Sequence, residues 1–318
     1  MNLKKPKFWD LKEPNLKAYL LLPLTFILRI SNFVLKFTNK KKFRNIKTIC
    51  VGNIYVGGTG KTPTTLYIYE MMKKLNFNAV TAKKFYSDQL DEVKLLQGKS
   101  EFISLKQRVE IVKTSIEKNY DVIIFDDGLQ EKFLDYDIKF VCFDARKWIG
   151  NGCLIPSGPL RENIESLKKY DAIFIKNTNK HNNLTKIYSK VKEINPKIEI
   201  FNTYVEIKNI EKFNLNHNYL IFSGIGNSES FRETLKENKF KIVEELIFPD
   251  HYQYKEEDIT KILNKAKIKG LKIVTTEKDY IKIVSNIKDN INFIEIDFKV
   301  KNNDKLEMFI KSKINETN

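Results

Sequence analysis

From residue 46 onward, short apolar runs alternate with longer stretches in which apolar and charged positions are mixed at helical spacing. That is the pattern of buried parallel strands separated by helices. Residues 46–51 read as a first strand and 64–75 as the helix after it, followed by a second strand at 78–82. Residues 104–118 read as a helix, with Val109, Ile111, Val112 and Ile116 apolar among charged neighbours. The run 122–125 is a buried strand ending in carboxylates, and 140–144 and 172–176 are two more. Over 46–190 this predicts a doubly wound, parallel α/β domain of the P-loop NTPase type. A smaller α/β unit begins with a strand and glycine turn at 219–226. Its further elements are a helix at 228–238, a strand at 241–248, a helix at 256–266 and a strand at 272–276. Alternating stretches at 197–207 and 292–300 flank this unit and suit a two-stranded connection, and a helix at 304–313 ends the pattern. The expected divisions are an N-terminal segment 1–40, a P-loop domain 41–205, a second α/β domain 206–292, and a return strand with C-terminal helix 293–318.

The segment 16–37 breaks this alternation. Its longest uncharged piece, 18–28, is eleven residues, and a spanning helix needs about 20 apolar residues. A basic cluster follows: Lys36, Lys40, Lys41, Lys42, Arg44 and Lys47. An apolar helix beside lysines suits a monotopic anchor on an anionic leaflet; the alternative is a core helix docked on the domain. The formal charge of +16, 56 basic against 40 acidic residues, calls for an anionic partner: lipid, phosphorylated substrate or nucleic acid. With 42% hydrophobic and 30% charged residues the chain is globular rather than disordered. Cys50, Cys142 and Cys153 are far apart, so neither a disulfide framework nor a zinc site is indicated.

Chemistry concentrates at Val51-Gly-Asn-Ile-Tyr-Val-Gly-Gly-Thr-Gly-Lys-Thr-Pro63. A strand, three glycines, a lysine and a threonine opening a helix are the ingredients of a phosphate-binding loop. Tyr55, Val56, Gly57, Gly58, Thr59, Gly60, Lys61 and Thr62 would wrap the phosphates of ATP, with Lys61 at the β- and γ-phosphates and Thr62 on Mg²⁺. Tyr55 stands where the motif's first glycine belongs, and an ordinary glycine-rich turn is the alternative reading. Asp126 and Asp127 close the 122–125 strand, where a carboxylate holds Mg²⁺ in P-loop proteins; solvated strand-end aspartates are the alternative. Arg161 and Glu162 sit on a Gly- and Pro-rich loop, 151–162, suited to binding substrate. Asp91-Glu92 opens a helix, where carboxylates commonly serve as dipole partners. His181 and His217 lie in polar stretches and read as exposed loop residues. His251 follows Asp250 at a strand end, which leaves open a structural imidazole or one positioned by a carboxylate.

Several of these pieces together resemble the tetraacyldisaccharide 4′-kinases of lipid A biosynthesis. The matching pieces are residues 51–63, Asp126-Asp-Gly-Leu-Gln130, Pro156-Ser-Gly-Pro-Leu-Arg-Glu162, Phe222-Ser-Gly-Ile-Gly-Asn227, Phe248-Pro-Asp-His-Tyr252 and Thr276-Glu-Lys-Asp279. The resemblance implies transfer of the ATP γ-phosphate to the 4′-hydroxyl of a tetraacyldisaccharide 1-phosphate, with Mg²⁺, at the cytoplasmic face of the inner membrane. It implies two α/β domains joined by a two-stranded link with the active site at their cleft, and Asp91 and His251 as a catalytic dyad. A monomer and no nucleic-acid partner are expected. The chain departs from the family at Ala82-Lys-Lys-Phe-Tyr86, where the family has Ser-Arg-Gly-Tyr-Gly. Leu90 and Val93 replace a Gly and a Pro around Asp91-Glu92, and Glu131 stands where the family has histidine. The rival is a membrane-associated P-loop ATPase of the partition type, whose signature lysine falls at Val56 here. A nucleic-acid-binding ATPase rests on charge alone, without a basic stripe of stacking aromatics.

Overall fold

The computed structural model describes residues 5–34, 40–87, 89–177, 184–283 and 288–316, and side chains of 27–34 lie outside the description. His181 and Lys36 are outside the described residues. In chain order the elements are α1 (Leu16–Val34), β1 (Lys47–Gly52), α2 (Lys61–Lys74), β2 (Ala79–Lys84), α3 (Leu90–Gln97), β3 (Phe102–Leu105) and α4 (Arg108–Glu117). Then come β4 (Val122–Asp126), β5 (Ile138–Asp144), β6 (Ala172–Lys176), α5 (Leu184–Ile194) and β7 (Glu199–Ile207). The remainder is β8 (Asn218–Ser223), α6 (Ser228–Glu237), β9 (Lys241–Ile247), α7 (Glu256–Ile268), β10 (Lys272–Thr276), α8 (Glu277–Tyr280), β11 (Ile291–Ile294), β12 (Ile296–Val300) and α9 (Asn303–Glu316).

The larger of two compact units comprises Lys5–Tyr86, Lys99–Tyr204 and Val300–Asn318. Its sheet runs β12-β7-β6-β5-β1-β4-β2-β3, and the pairs β1–β4, β1–β5, β2–β3, β2–β4, β5–β6 and β6–β7 are all parallel. The near-continuous apolar strands predicted this, since strands covered on both faces need apolar residues at every position. One core packs Ile111 and Val112 of α4 on Cys50, Val80, Ile123 and Phe125. Another packs Ile187, Val191 and Ile194 of α5 on Val141, Phe143, Ile173 and Ile175. Phe140, Phe174, Phe201 and Phe309 touch in sequence, edge-on or tilted, which ties α9 to the sheet through Phe309. Cys50 and Cys142 are buried, and burial pushes the Cys142 thiol up to about 12.

The smaller unit comprises Ser87–Gly98 and Val205–Lys299, with a parallel sheet ordered β11-β10-β8-β9. On β8, Leu220 and Phe222 join a core with Ile259, Ile262 and Ala266 of α7. Tyr219 and Ile221 join one with Phe231 and Leu235 of α6. Alternate residues of a strand face opposite ways, so helices cover both faces here too.

Three elements differ from the expectation. The stretch 104–118 is not one helix: Phe102–Leu105 is an edge strand and the helix starts at Arg108. Pairing with β2 fixes Phe-Ile-Ser-Leu as a strand, a tertiary effect that local propensity does not carry. The alternating run 292–300 is two strands in different sheets, β11 and β12. The break falls where the buried Asn209 side chain accepts from the Glu295 N–H at 3.0 Å and donates to the Phe293 carbonyl at 2.9 Å. The helix after the glycine loop begins at Lys61 rather than residue 64, because Gly60 with φ of 89° supplies the N-cap and Pro63 is tolerated in a first turn. Of the two flanking stretches, β12 lies beside β7 at the edge of the larger sheet. Lys208 N–H donates to the Glu295 carbonyl and Lys301 N–H to the Asn202 carbonyl, both at 2.8 Å. That register makes β7 and β12 antiparallel neighbours.

In α1, Ala18 and Thr25 are buried, whereas Leu16, Tyr19, Leu20 and Phe26 are 56–75% exposed. Thr25 Oγ1 lies 2.8 Å from Ser157 Oγ, fixing the helix to the larger unit. No helix among the described residues is long and apolar enough to cross a membrane.

Candidate active site

Two clusters of functional side chains form, one in each unit. In the larger unit β1 runs into the glycine loop, and α2 starts at Lys61, so the N–H groups of Lys61 and Thr62 open the helix with no carbonyl a turn earlier within it. The loop is shaped from inside by Asn53, fully buried, whose amide donates to the Gly57 carbonyl at 3.2 Å and Thr59 Oγ1 at 3.1 Å. From outside it is laced to the 151–162 loop: Val56 N–H donates to the Pro159 carbonyl at 2.9 Å and Arg161 N–H to the Ile54 carbonyl at 2.7 Å. Tyr55 replaces a glycine without opening the loop, because its ring is buried and its hydroxyl is hydrogen-bonded to Asp10 and Lys5. The 151–162 loop is in turn held to the N-terminal segment, with Trp9 Nε1 donating to the Pro156 carbonyl at 3.0 Å.

At the end of β4, Asp126 is fully buried and accepts from Thr62 Oγ1 at 3.1 Å and from the Lys83 ammonium at 3.2 Å, both on Oδ2. Asp127 has a left-handed φ of 66°, a conformation that costs energy and clusters at functional positions. Arg108 holds it there, donating Nη2 to the Asp127 carbonyl at 3.0 Å and Nη1 to Glu131 at 2.8 Å. Glycine is required next, since a Cβ on Gly128 would sit 2.5 Å from the Tyr136 hydroxyl. Burial raises the Asp127 pKa, but Lys61 at 3.9 Å and Arg161 at 3.0 Å, with Lys83, outweigh it and hold the carboxyl well below the usual carboxylate range. Glu162 accepts from Gln130 at 2.7 Å and Tyr170 at 2.9 Å.

Phosphates fit this loop by chemistry: inward N–H groups at a helix N-terminus with Lys61 beside them. Mg²⁺ fits the oxygen pair of Thr62 and Asp126. No group of three or more His, Cys, Asp or Glu able to hold a metal ion is found among the described residues; Mg²⁺ commonly keeps waters and phosphate oxygens as most of its ligands.

In the smaller unit α3 presents Asp91 and Glu92, and the turn after β9 presents Asp250 and His251, the last at a left-handed φ of 58°. His251 Nδ1 lies 2.8 Å from Asp91 Oδ1 and 3.1 Å from Oδ2. The Asp91 side chain is fully buried, and His251 is 22% exposed. Burial raises the Asp91 pKa, but the His251 hydrogen bond and the charges of Lys278, His251 and Lys282 outweigh it and lower the net value. Asp91 is therefore ionised at neutral pH, and Nδ1 donates to it. Lys278 bridges Glu92 at 3.0 Å, Asp91 at 3.4 Å and Asp250 at 3.7 Å. Burial lowers its pKa, yet Glu92, Asp250 and Asp91 together raise it. Beneath lies Asp279, fully buried, accepting from Gly224 N–H at 3.0 Å, Thr276 Oγ1 at 2.7 Å, Tyr254 Oη at 3.1 Å and Lys282 at 2.6 Å.

Asp91 and His251, 160 residues apart, are thus in hydrogen-bond contact, and Thr62 joins Asp126 while Lys61 and Arg161 join Asp127. Glu162 points to Gln130 and Tyr170 instead. Exposed His217 is as expected for a loop residue. Sequence reasoning missed Lys83, Arg108 and Lys282, which look like surface cations in a lysine-rich chain. It also missed Lys278, although that residue lies inside the quoted Thr276–Asp279 motif.

The family model of tetraacyldisaccharide-1-P 4′-kinase matches residues 18–315. The chain belongs to this family. Among curated relatives, the tetraacyldisaccharide 4′-kinase of Pelagibacter ubique (strain HTCC1062) is 47% identical over 297 residues, 93% of each chain. That of Rickettsia akari (strain Hartford) is 34% identical over 99% of each. The crystal structure of LpxK from Aquifex aeolicus in complex with ATP resembles this tetraacyldisaccharide-1-P 4′-kinase family member with a TM-score of 0.67. It is 23% identical and covers 93% of this chain and 99% of that one, which establishes the shared fold.

Proposed function

We propose that this chain is a lipid kinase that moves the γ-phosphate of ATP to the 4′-hydroxyl of a tetraacyldisaccharide 1-phosphate. The observation that carries this reading is family membership over residues 18–315 together with a built phosphate loop and a separate ionised aspartate–histidine pair. Lys61 and the N–H groups opening α2 bind the β- and γ-phosphates, and Arg161, paired to Asp127, adds positive charge. Thr62 and Asp126, with Asp127 beside them, would hold Mg²⁺, which when bound neutralises charge on the transferring phosphoryl group. The acceptor hydroxyl oxygen bonds to the γ-phosphorus as the bond to the β–γ bridging oxygen breaks, releasing ADP. The hydroxyl proton goes to Asp91, which the His251 Nδ1–H holds in place and, with Lys278, keeps ionised. Arg161 and Glu162 contribute to substrate binding, Glu162 through Gln130.

The acceptor is a lipid, and the exposed Leu16, Tyr19, Leu20 and Phe26 give α1 an apolar face for a bilayer surface. We place the enzyme peripherally on the cytoplasmic face of the inner membrane, as a monomer without nucleic acid. Leu20→Glu with Phe26→Glu is expected to abolish sedimentation with anionic vesicles while ATP binding persists; unchanged sedimentation removes the anchor from the reading.

The kinase test uses purified protein, Mg²⁺, γ-labelled ATP and tetraacyldisaccharide 1-phosphate in detergent micelles. Label in the lipid is the expected result. ATP binding with hydrolysis but no labelled lipid overturns the assignment.

A further inference from the structure

Arg108 opens α4, where the helix dipole disfavours a cation, and its side chain is nonetheless only 8% exposed. Its guanidinium spans two acceptors: Nη1 donates to Glu131 Oε2 at 2.8 Å and Nη2 to the Asp127 carbonyl at 3.0 Å. Glu131 is held in turn by the chain that follows it, Oε1 accepting from Lys132 N–H at 2.8 Å and Phe133 N–H at 3.0 Å. Burial raises the Glu131 pKa, but these bonds and the charge of Arg108 outweigh it and keep the carboxylate ionised. The relay ends at Asp127, which has a φ of 66° and sets its own carboxylate 3.0 Å from Arg161 and 3.9 Å from Lys61. Position 131 is also one where this chain departs from its family's histidine. A neutral imidazole has one acceptor nitrogen and a charged one has none. Neither could take a guanidinium and two backbone N–H groups together, as the Glu131 carboxylate does.

We propose that Glu131 is a positioning residue for phosphoryl transfer: through Arg108 it pins the left-handed Asp127, which keeps the Asp127 carboxylate on Lys61 and Arg161. This rests on the reading of the glycine loop and Asp127 as the phosphoryl-transfer site. A non-glycine residue at positive φ persists only where its surroundings hold it, and the Arg108 fork holds this one by its carbonyl. Without Glu131 the guanidinium loses one of its two anchors and the fork turns. Asp127 then relaxes, and Lys61 and Arg161 lose the anion that aims them at the charge building up during transfer. ATP binding draws on other parts, namely the N–H groups opening α2 and a loop shaped by Asn53 and laced to residues 151–162. The relay therefore acts on the rate and not on nucleotide affinity. A merely structural ion pair would lower stability and leave the rate per folded molecule alone.

The experiment compares full-length wild type with Glu131→Gln in the labelled-ATP assay and in direct ATP binding. The variant's kcat should fall roughly tenfold, less than the roughly 10²- to 10³-fold lost with a donor that itself touches the transition state. Its Kd for ATP should stay within about twofold, since no group that meets the phosphates is removed. Glu131→Gln combined with Arg108→Met should lose no more than Arg108→Met alone, because both act through one relay. An unchanged kcat in folded Glu131→Gln overturns the proposal, as does weaker ATP binding with kcat retained. If Glu131→Gln fails to fold, the double variant, which leaves no buried charge unpaired, carries the same expectations against wild type. A crystal structure of the folded variant gives an answer apart from the kinase reading. Asp127 should leave its positive φ and its contact with Arg161, and Asp127 found in place overturns the inference. Labelled lipid at equal kcat in both proteins sinks this inference and leaves the kinase reading standing. No labelled lipid from wild type sinks the kinase reading, and the variant's structure then decides the inference.

Discussion

The two clusters solve the same problem, keeping a wholly or partly buried carboxylate ionised, with different partners. Asp127 in the larger unit is surrounded by the cations Arg161, Lys61 and Lys83. Asp91 in the smaller unit leans first on a histidine and then on Lys278. Both clusters contain a residue at positive φ, Asp127 in one and His251 in the other. The difference lies in what each can exchange. A ring of lysine and arginine presents positive charge to an anion, and an aspartate–histidine pair can pass a proton.

That contrast can be broken most sharply by rates. Asp91→Asn should lower lipid phosphorylation by roughly 10²- to 10⁴-fold, the range for a lost acid–base group, with ATP affinity unchanged in a direct binding measurement. Lys61→Ala should lower it by a comparable factor and weaken ATP binding as well. If Asp91→Asn loses ATP binding, the division of labour between the clusters is wrong. His251→Gln should cost less, roughly 10²-fold at most, and change the pH profile of kcat. A larger loss for His251→Gln than for Asp91→Asn would make the imidazole the proton acceptor.

The cluster around Asp127 gives a pH signature. A carboxyl whose pKa is depressed on folding contributes stability that is complete above its unfolded value and lost as pH falls through its folded value. For Asp127, with an ordinary value of 3.8, that window opens just below pH 4 and extends downward. The unfolding free energy from urea titrations should fall there at up to about 1.4 kcal/mol per pH unit for this group, and Asp127→Asn should flatten that part of the slope. Parallel slopes in the two proteins would show that the ion pairs do not form in solution. The smallest effect concerns the platform under Asp91. Thr276 caps α8 by accepting from Asp279 N–H, so Thr276→Ala should cost about 1 kcal/mol of stability, visible in denaturation but not in ATP affinity.

Much of the larger cluster was legible because a phosphate loop is built from consecutive residues. Strand, glycines, lysine and threonine lie within 51–63, and the strand-end aspartates follow an unmistakable apolar run. What could not be read were the side chains that brace the loop from a distance. Asn53 looks like any loop residue until its amide is seen tying Gly57 to Thr59, and Lys83 reads as one lysine among many. The smaller cluster was legible only through the family resemblance, since 160 residues separate Asp91 from His251 and no periodicity links them. Even the fold misreadings have this origin. Phe102–Leu105 became a strand through its pairing with β2, and Asn209 divides β11 from β12 through bonds to residues more than eighty positions away.

The excursion Ser87–Gly98 leaves one unit, contributes Asp91 to the other and returns at Lys99. The chain therefore crosses between units four times within the described residues, and neither unit is a continuous stretch of gene. No single cut yields two self-sufficient fragments. A chimera that exchanged only residues 206–292 with a relative would bring a foreign His251 against a resident Asp91. Substitutions in α3 and in the turn at Asp250-His251 are thereby coupled through the Asp91–His251 contact.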